Sequence, residues 1–422
     1  MDQGNTAFIL IAAALVLLMT PGLAFFYGGL VKAKSVISMM MMSFGALGLI
    51  GVLWVLYGYA IAFPGAEGTI FPWAVDTGAF GLTNLLETPE GAAYPPLAFA
   101  AFQATFAIIT VALVSGAIAD RAKFGAWMVF AGIWATVVYF PVASWVFNFG
   151  LADDGSFAYG GWLTHGLQDV FGVGTIDFAG GTAVHINAGA AALALALVLG
   201  KRVGFAKGVS VPHNPPFVLL GAGLLWFGWF GFNAGSELAA DGTAALAFVN
   251  TIAAPAAALL AWLLVEKLKD GKPTSVGAAS GAVAGLVAIT PACGSLTPGW
   301  AIVLGLVAGA VCALAIDLKF KLGFDDSLDV VGIHLIGGLI GTLYLGFFAN
   351  GTGLIYSGEI TQLLVQLIAA LSVLVYSFVL AFVIGYIIEK TMGFRIKNED
   401  EIAGIDTVVH GEEGYVLVDA KA

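Results

Sequence analysis

The sequence predicts an all-α polytopic membrane protein of eleven transmembrane helices, the first ten arranged as two inverted five-helix repeats, with the N-terminus outside and the C-terminus cytoplasmic. Three observations carry that prediction. Of 422 residues, 60% are hydrophobic and only 10% charged, whereas soluble domains carry about 25% charged residues because their surfaces face water. Lipid is the surrounding that such a surface fits. Apolar runs long enough to cross a bilayer recur along the whole chain, and the basic residues fall only between alternate runs.

A hydrocarbon core of about 30 Å takes about 20 apolar residues as a helix. Between polar breaks, such runs stand at 7–31, 36–63, 97–118, 125–150, 177–199, 217–238, 243–266, 275–292, 299–318, 328–348 and 360–389. Asp2 leads directly into the first, which is too long for the core of a signal peptide and has no basic stretch before it, so no cleaved leader is expected. Strict alternation over about ten residues, the mark of a spanning β-strand, is missing from all of them.

Lys32 and Lys34 follow the first run, and Arg121 and Lys123 follow the third. Lys201, Arg202 and Lys207 follow the fifth, Lys267, Lys269 and Lys272 the seventh, and Lys319 and Lys321 the ninth. Lys390, Arg395, Lys397 and Lys421 follow the last, completing all sixteen basic residues. Eleven spans with an outside N-terminus put every one of them on the cytoplasmic side, and a miscount by one would scramble the pattern. The connections from Pro64 to Pro96 and from Leu151 to Ile176 carry none.

An odd number of crossings per repeat forces the second copy upside down. Spans five and ten share an outline, Asp177 before His185 and Asp329 before His334. Spans one and six rhyme in Phe25-Phe26-Tyr27-Gly28-Gly29 and Trp229-Phe230-Gly231-Phe232-Asn233. Inverted repeats around a site near the midplane leave such traces. The expected organisation is a transmembrane domain over 1–390, with pseudo-repeats at about 7–199 and 217–348 and a last helix at 360–389, then a cytoplasmic tail over 391–422.

Composition also excludes function classes. The apolar content rules out disorder, and without a Gly-X-Y period collagen is ruled out too. Cys293 and Cys312 allow at most one disulfide and no zinc cluster, and both read as packing residues. The net charge of −11 includes seven acids against three bases in the tail, and no basic stripe tracks nucleic acid. His-Glu-x-x-His and Gly-x-Ser-x-Gly are both absent, so the chain does not read as an intramembrane hydrolase or other enzyme, and no cofactor is expected.

Two histidines inside spans stand out, because an ionisable side chain in a membrane is costly and marks a functional site by default. His185 lies eight residues past Asp177, roughly 12 Å along a helix entering from outside, and His334 lies roughly 9 to 10 Å along one entering from the cytoplasm. The two can meet near the midplane. Gly181, His185 and Gly189 share one helix face, and Gly338 and Gly341 follow His334, which lets the helices approach closely. The bland reading is that each ring satisfies a neighbouring carbonyl. A neutral pair offers donors and acceptors to a small uncharged solute, whereas a metal site lacks a third ligand nearby. His165, His213 and His410 lie in connections and the tail, where solvated polar roles are usual.

The stretch Asp177-Phe-Ala-Gly-Gly-Thr-Ala-Val-His185-Ile-Asn-Ala-Gly189 resembles the signature of the ammonium transporter (Amt/Mep/Rh) family, in its bacterial Amt branch. The resemblance extends through Pro21-Gly-Leu-Ala-Phe-Phe-Tyr-Gly-Gly29, Ala101-Phe-Gln-Ala-Thr-Phe106, Gly228-Trp-Phe-Gly-Phe-Asn-Ala-Gly-Ser236, Thr290-Pro-Ala-Cys-Gly294 and Asp325-Asp-Ser-Leu-Asp-Val-Val-Gly-Ile-His334. It implies that His185 and His334 are the pore histidines, that Phe102 and Phe232 are paired rings gating the outer mouth, and that Phe106, Phe147 and Ser236 form the ammonium recruitment site. Trp229 would line the path and Asp177 would shape the outer vestibule.

Phe147 stands where the family has a tryptophan, with Trp145 two positions earlier, and phenylalanine is the weaker cation–π face. The loop from Leu151 to Ile176 is longer than in typical bacterial members, and its Asp153, Asp154 and Asp169 can concentrate cations or simply be solvated. The resemblance further implies transport of ammonium, deprotonated for passage as ammonia, by a homotrimer in the cell membrane. Gly404-Ile-Asp406 and His410-Gly-Glu-Glu-Gly-Tyr415 resemble the tail that contacts a P-II signalling protein. Alternatives are an ammonium sensor signalling through that tail, although no kinase or other output domain follows, and an Rh-like gas channel, which the Amt-like motifs disfavour.

Overall fold

The computed structural model describes residues 1–65, 75–151, 157–205, 208 and 211–415. Among them, ten helices are long and apolar enough to cross a membrane: α1 Gln3–Leu30, α2 Ala33–Ala62, α3 Pro96–Ile118, α4 Phe124–Phe147, α5 Gly181–Leu199, α6 Pro215–Glu237, α7 Gly242–Lys269, α9 Pro298–Leu322, α10 Val331–Phe348 and α11 Thr361–Thr391. The remaining apolar helix, α8 Ser275–Ile289, is shorter. It ends early because Pro291 cannot continue the ladder, and the Thr290 hydroxyl turns back onto the Leu286 carbonyl at 2.7 Å.

The chain is not wholly helical. A short antiparallel hairpin, β1 Phe149–Leu151 and β2 Phe157–Gly160, follows α4, where an unbroken run to residue 150 is expected. Asn148 leaves the helix with extended dihedrals, and its carbonyl accepts from the Gly161 amide at 2.7 Å, closing the hairpin base. Asp153 and Asp154 lie outside the described residues, as do Lys207 and Lys421.

Helices α5 and α10 both start later than the apolar runs suggest. Gly180 precedes α5 at φ +119°, and Asp329 lies just before α10 at φ +61°; both are left-handed conformations that interrupt a helix, the first natural for glycine. Each helix then opens with a π-helical turn, Gly181–Ile186 in one and Val331–Leu335 in the other, and each turn carries one of the two histidines. Such turns concentrate at functional sites.

Helix α1 packs along α6, and α5 against α10: first with sixth and fifth with tenth, the partners a five-helix repeat pairs. At Gly189 and Gly338 the contact between α5 and α10 leaves no room for a side chain. A Cβ on Gly189 would come within 2.5 Å of the Leu335 nitrogen, and one on Gly338 within 3.1 Å of the His185 Cβ. These close approaches bring the two histidine-bearing turns face to face.

The bundle has two unlike ends. One, with Asp177, Ser236 and the hairpin, is aromatic at its mouth. The other holds every described lysine and arginine, and the tail folds back on it. There the Lys123 amide bonds the Phe394 carbonyl and the Ile396 amide the Arg121 carbonyl, both at 2.9 Å, while Asp406 caps α2 through the Ile37 and Ser38 amides at 3.0 and 2.7 Å.

Candidate functional site

The two imidazoles meet in the middle of the bundle, both almost wholly buried. Their Nδ1 atoms are 3.2 Å apart and the ring centroids 5.3 Å. One nitrogen of this contact must carry the hydrogen and the other the lone pair, so two neutral rings hold opposite tautomers. One Nε2 is then a donor and the other an acceptor, and the pair can take up one extra proton without breaking the contact. His185 Nε2 is buried with no partner, the kind of orphan that calls for a functional explanation.

That nitrogen belongs to a ring lining a narrow cavity, together with His334, Trp229, Phe232, Phe26 and Leu113. The room for a water-sized guest is about 10 Å³, about one small molecule. Apart from the imidazoles and the indole, the side chains around it are hydrocarbon or sulfur. Trp229 stacks on His185 with centroids 5.6 Å apart, and its orientation is set by a 2.9 Å hydrogen bond from Nε1 to the Thr290 hydroxyl.

Toward the aromatic end, Phe232 lies 6.1 Å from the His185 ring and is covered by Phe106, stacked at 4.2 Å and 25°. The ring paired with Phe232 is therefore Phe106, not the expected Phe102. Phe102 sits one turn nearer the mouth, edge-on to Phe106 at 4.8 Å. Both rings project from one face of α3, and only the relative height of α3 and α6 decides which reaches Phe232.

Outside this stack a vestibule of about 360 Å³ is lined by Phe147, Ser236, Asp177, Thr164, His165 and Gln168 among others. Phe147 stands edge-on to Phe106 at 6.3 Å, so the replacement for tryptophan lies between that stack and the vestibule. The Ser236 hydroxyl donates to the Phe232 carbonyl at 2.7 Å, which leaves its lone pairs for a guest. His165, expected to be a solvated polar residue, joins the vestibule wall and lies 3.5 Å from Asp169.

Asp177 is fully committed to structure. Oδ1 accepts from the Gly180 and Gly181 amides at 2.9 and 2.5 Å, and Oδ2 from the Thr182 and Ala183 amides at 2.9 and 3.2 Å and from the Thr182 hydroxyl. The carboxylate caps the turn that carries His185, where the helix N-terminus favours negative charge. Its counterpart beyond the histidines is Asp326, whose Oδ2 accepts from the Val331 amide at 2.7 Å. The expected counterpart, Asp329, binds Lys319 instead, at 2.6 Å; the spacing that pairs them is eight residues before each histidine.

The charged end is closed by Arg202, which grips Asp325 through Nε and Nη2 at 2.9 Å each and Asp120 through Nη1 at 3.1 Å. Burial alone would raise the Asp325 carboxyl, but the hydrogen bonds and charge of Arg202, with Arg121 behind it, hold it below the usual carboxylate range. Cys293 and Cys312 are both buried and unbridged. Among the described residues no group of three or more His, Cys, Asp or Glu could hold a metal ion.

A bundle of membrane-length helices around a cavity the size of one small molecule, faced by paired imidazoles and covered by aromatic rings, has the architecture of a membrane transporter. The Ammonium Transporter Family matches residues 7–415, and the chain belongs to that family. It is 54% identical to the ammonium transporter of Mycobacterium tuberculosis (strain H37Rv) over 98% of this chain and 90% of that one. Among solved structures it is similar to Saccharomyces cerevisiae Mep2, with 34% identity, a TM-score of 0.82 and coverage of 94% and 91% of the two chains. It is also similar to a Sensor Amt Protein, with 27% identity, a TM-score of 0.86 and coverage of 96% and 98%. The chain is a multi-pass membrane protein and its solute is ammonium.

Proposed function

We propose that the aromatic end is the outer mouth and that ammonium is recruited there, deprotonated, and passed inward as ammonia beside His185 and His334. The observation that carries this reading is the imidazole pair lining a nearly dry cavity behind the Phe106–Phe232 stack. In the vestibule, Phe147 offers a ring face to a cation and Ser236 offers its oxygen. Phe106 takes the gating role with Phe232, in place of the Phe102 of the sequence-based assignment, and Phe102, buried edge-on to Phe106, supports that stack. Asp177 holds the turn beneath the vestibule rather than touching the ion.

Selectivity follows from desolvation. A potassium ion entering a passage of hydrocarbon and two imidazoles cannot recover its hydration energy. Ammonium can leave its proton behind, and the neutral molecule then finds one Nε2 donor and one Nε2 acceptor along the histidine pair. The basic residues gathered at the opposite end support a cytoplasmic assignment for it, with eleven crossings and the N-terminus outside. We extend the reading to a homotrimer in the cell membrane whose tail-bearing face receives a P-II signalling protein, on the strength of the Gly404-Ile405-Asp406 and His410–Tyr415 resemblance.

Reconstituted protein is expected to carry ammonium-dependent flux with negligible potassium flux. His185→Ala and His334→Ala are expected to lower ammonium flux or admit potassium, measured by solid-supported-membrane electrophysiology with pulses of each ion. Wild-type flux and ion preference in both variants would reject the pore assignment. Size-exclusion chromatography with light scattering tests the trimer, and co-elution with a P-II protein tests that partner.

A further inference from the structure

The two capping carboxylates differ in a way that the repeat does not explain. Asp177 spends both oxygens on four amides and a hydroxyl. Asp326 is just as buried, at 1% exposure, yet while its Oδ2 accepts from the Val331 amide at 2.7 Å, its Oδ1 has no partner. A bare buried carboxylate oxygen is costly to keep as an ion, and is relieved when a proton arrives.

The groups facing it do not supply that relief. Lys319, from the end of α9, is committed to Asp329 at 2.6 Å and to the Asp326 main-chain carbonyl at 3.1 Å. Arg202 and Arg121 are taken up by Asp325, Asp120 and Ser327. Asp329, on the same segment, adds negative charge. Burial, reinforced by Asp329 and opposed by Lys319, pushes the Asp326 carboxyl up to about 6, within reach of cytoplasmic pH.

Its position suits a proton leaving the cavity. Leu113 lines the cavity, and its carbonyl accepts from the Tyr27 hydroxyl at 3.0 Å. The Tyr27 ring packs against Gly116, and the next residue's carbonyl, that of Ala117, accepts from the Ser327 amide at 3.2 Å, which ties the neighbour of Asp326 to the helix end beside this phenol.

We infer that the Asp326 carboxylate accepts the proton that ammonium gives up during passage and hands it to cytoplasmic water, which rests on the deprotonating path proposed above. Ammonium divides into ammonia and a proton; the histidine pair holds the proton first. Asp326 then converts from carboxylate to carboxylic acid and, on releasing the proton to water, returns to carboxylate. Ammonia travels on as the neutral molecule, so one positive charge crosses per ammonia delivered.

The test compares wild type, Asp326→Asn and Asp326→Glu in proteoliposomes. Charge displaced by ammonium pulses is read on a solid-supported membrane, and ammonia delivery as the total ammonium assayed in the vesicle lumen. Asp326→Asn is expected to lower the ratio of charge moved to ammonia delivered at least about tenfold, and Asp326→Glu to restore it. An unchanged ratio in Asp326→Asn overturns the inference. Loss of both signals with a lowered apparent Tm in both variants overturns it too, by marking Asp326 as a structural cap alone. Absence of charge movement in wild type falsifies the deprotonating path itself, and the inference with it, separately from any behaviour of the variants.

Discussion

The two mouths of the bundle are built on the same helix pair seen from opposite ends, yet they use opposite chemistry. At the aromatic mouth, described positive side chains are absent, and Asp177 has its charge absorbed by amides. What remains for an approaching cation is ring faces, a hydroxyl oxygen and the loop acid Asp169. At the charged mouth, buried Arg121 and Lys319 and half-buried Arg202 stand among Asp120, Asp325, Asp326 and Asp329. One end presents rings and uncharged polar groups; the other locks connections and tail to the bundle through buried ion pairs. One helix pair thus fixes where the histidines meet, while the side chains at each end make the two mouths chemically different.

The largest expected effect comes from breaking the lock at the charged mouth. Arg202→Ala leaves Asp325 and Asp120 buried without their shared cation, and removing one partner of a buried pair costs about 3 to 5 kcal/mol. A large fall in the apparent Tm of detergent-solubilised protein is expected, and a change within error would show that the network contributes little. Next is Asp177→Asn at the other mouth. The amide keeps one acceptor oxygen for five donors and adds a clashing NH₂, at about 3 kcal/mol for lost charge-assisted bonds. Because the cap holds the turn carrying His185, ammonium flux is expected to drop with stability, and intact flux would detach Asp177 from the pore.

The carboxyls of the charged mouth give the comparison a pH signature. Asp326, held near 6 against about 3.9 in an unfolded chain, binds a proton in the folded state that the unfolded state has released. Its contribution to stability is therefore complete below about pH 4 and falls away by about 2 to 3 kcal/mol as pH rises through about 6. Asp325 works in the opposite sense: its folded value is depressed, so its contribution is present above about pH 4 and lost as pH falls further. Unfolding midpoints measured from pH 4 to 7 are expected to lose part of their downward slope in Asp326→Asn; an unaltered slope would place the titration elsewhere.

Much of this was legible in the sequence, for identifiable reasons. Apolar run length maps directly onto helix position, so the structure's long helices coincide with predicted runs to within a few residues at most ends. The glycines around His185 and His334 are short-range signals of close helix approach, and the meeting of the rings follows from them. What was hidden depends on long-range height and local dihedrals. Phe102 and Phe106 are one turn apart on one face, and nothing in either helix alone says which opposes Phe232. The choice of Asp326 over Asp329 is decided by a left-handed backbone at Asp329, which turns its side chain toward Lys319. The π turns and the hairpin after Asn148 leave no periodic trace at all.

The smallest expected effect concerns the residue that sets this chain's aromatic mouth apart. Phe147 is buried to 6% exposure, edge-on to Phe106, and lines the vestibule with Ser236. Its ring tip faces Gly180, where even an added Cβ would sit 3.5 Å away, so a larger ring must grow toward the vestibule rather than into that backbone. An indole there presents a broader and more negative face to ammonium, a gain of about 0.5 to 1 kcal/mol at a partly hydrated site. Phe147→Trp is therefore expected to tighten the apparent ammonium affinity about two- to fivefold, read from the concentration dependence of transport currents, with the maximal current little altered because the histidine cavity is untouched. An unchanged or weaker affinity would mean that recruitment at this mouth rests on Ser236 and the loop acids, and that the aromatic wall serves to exclude water rather than to hold the cation.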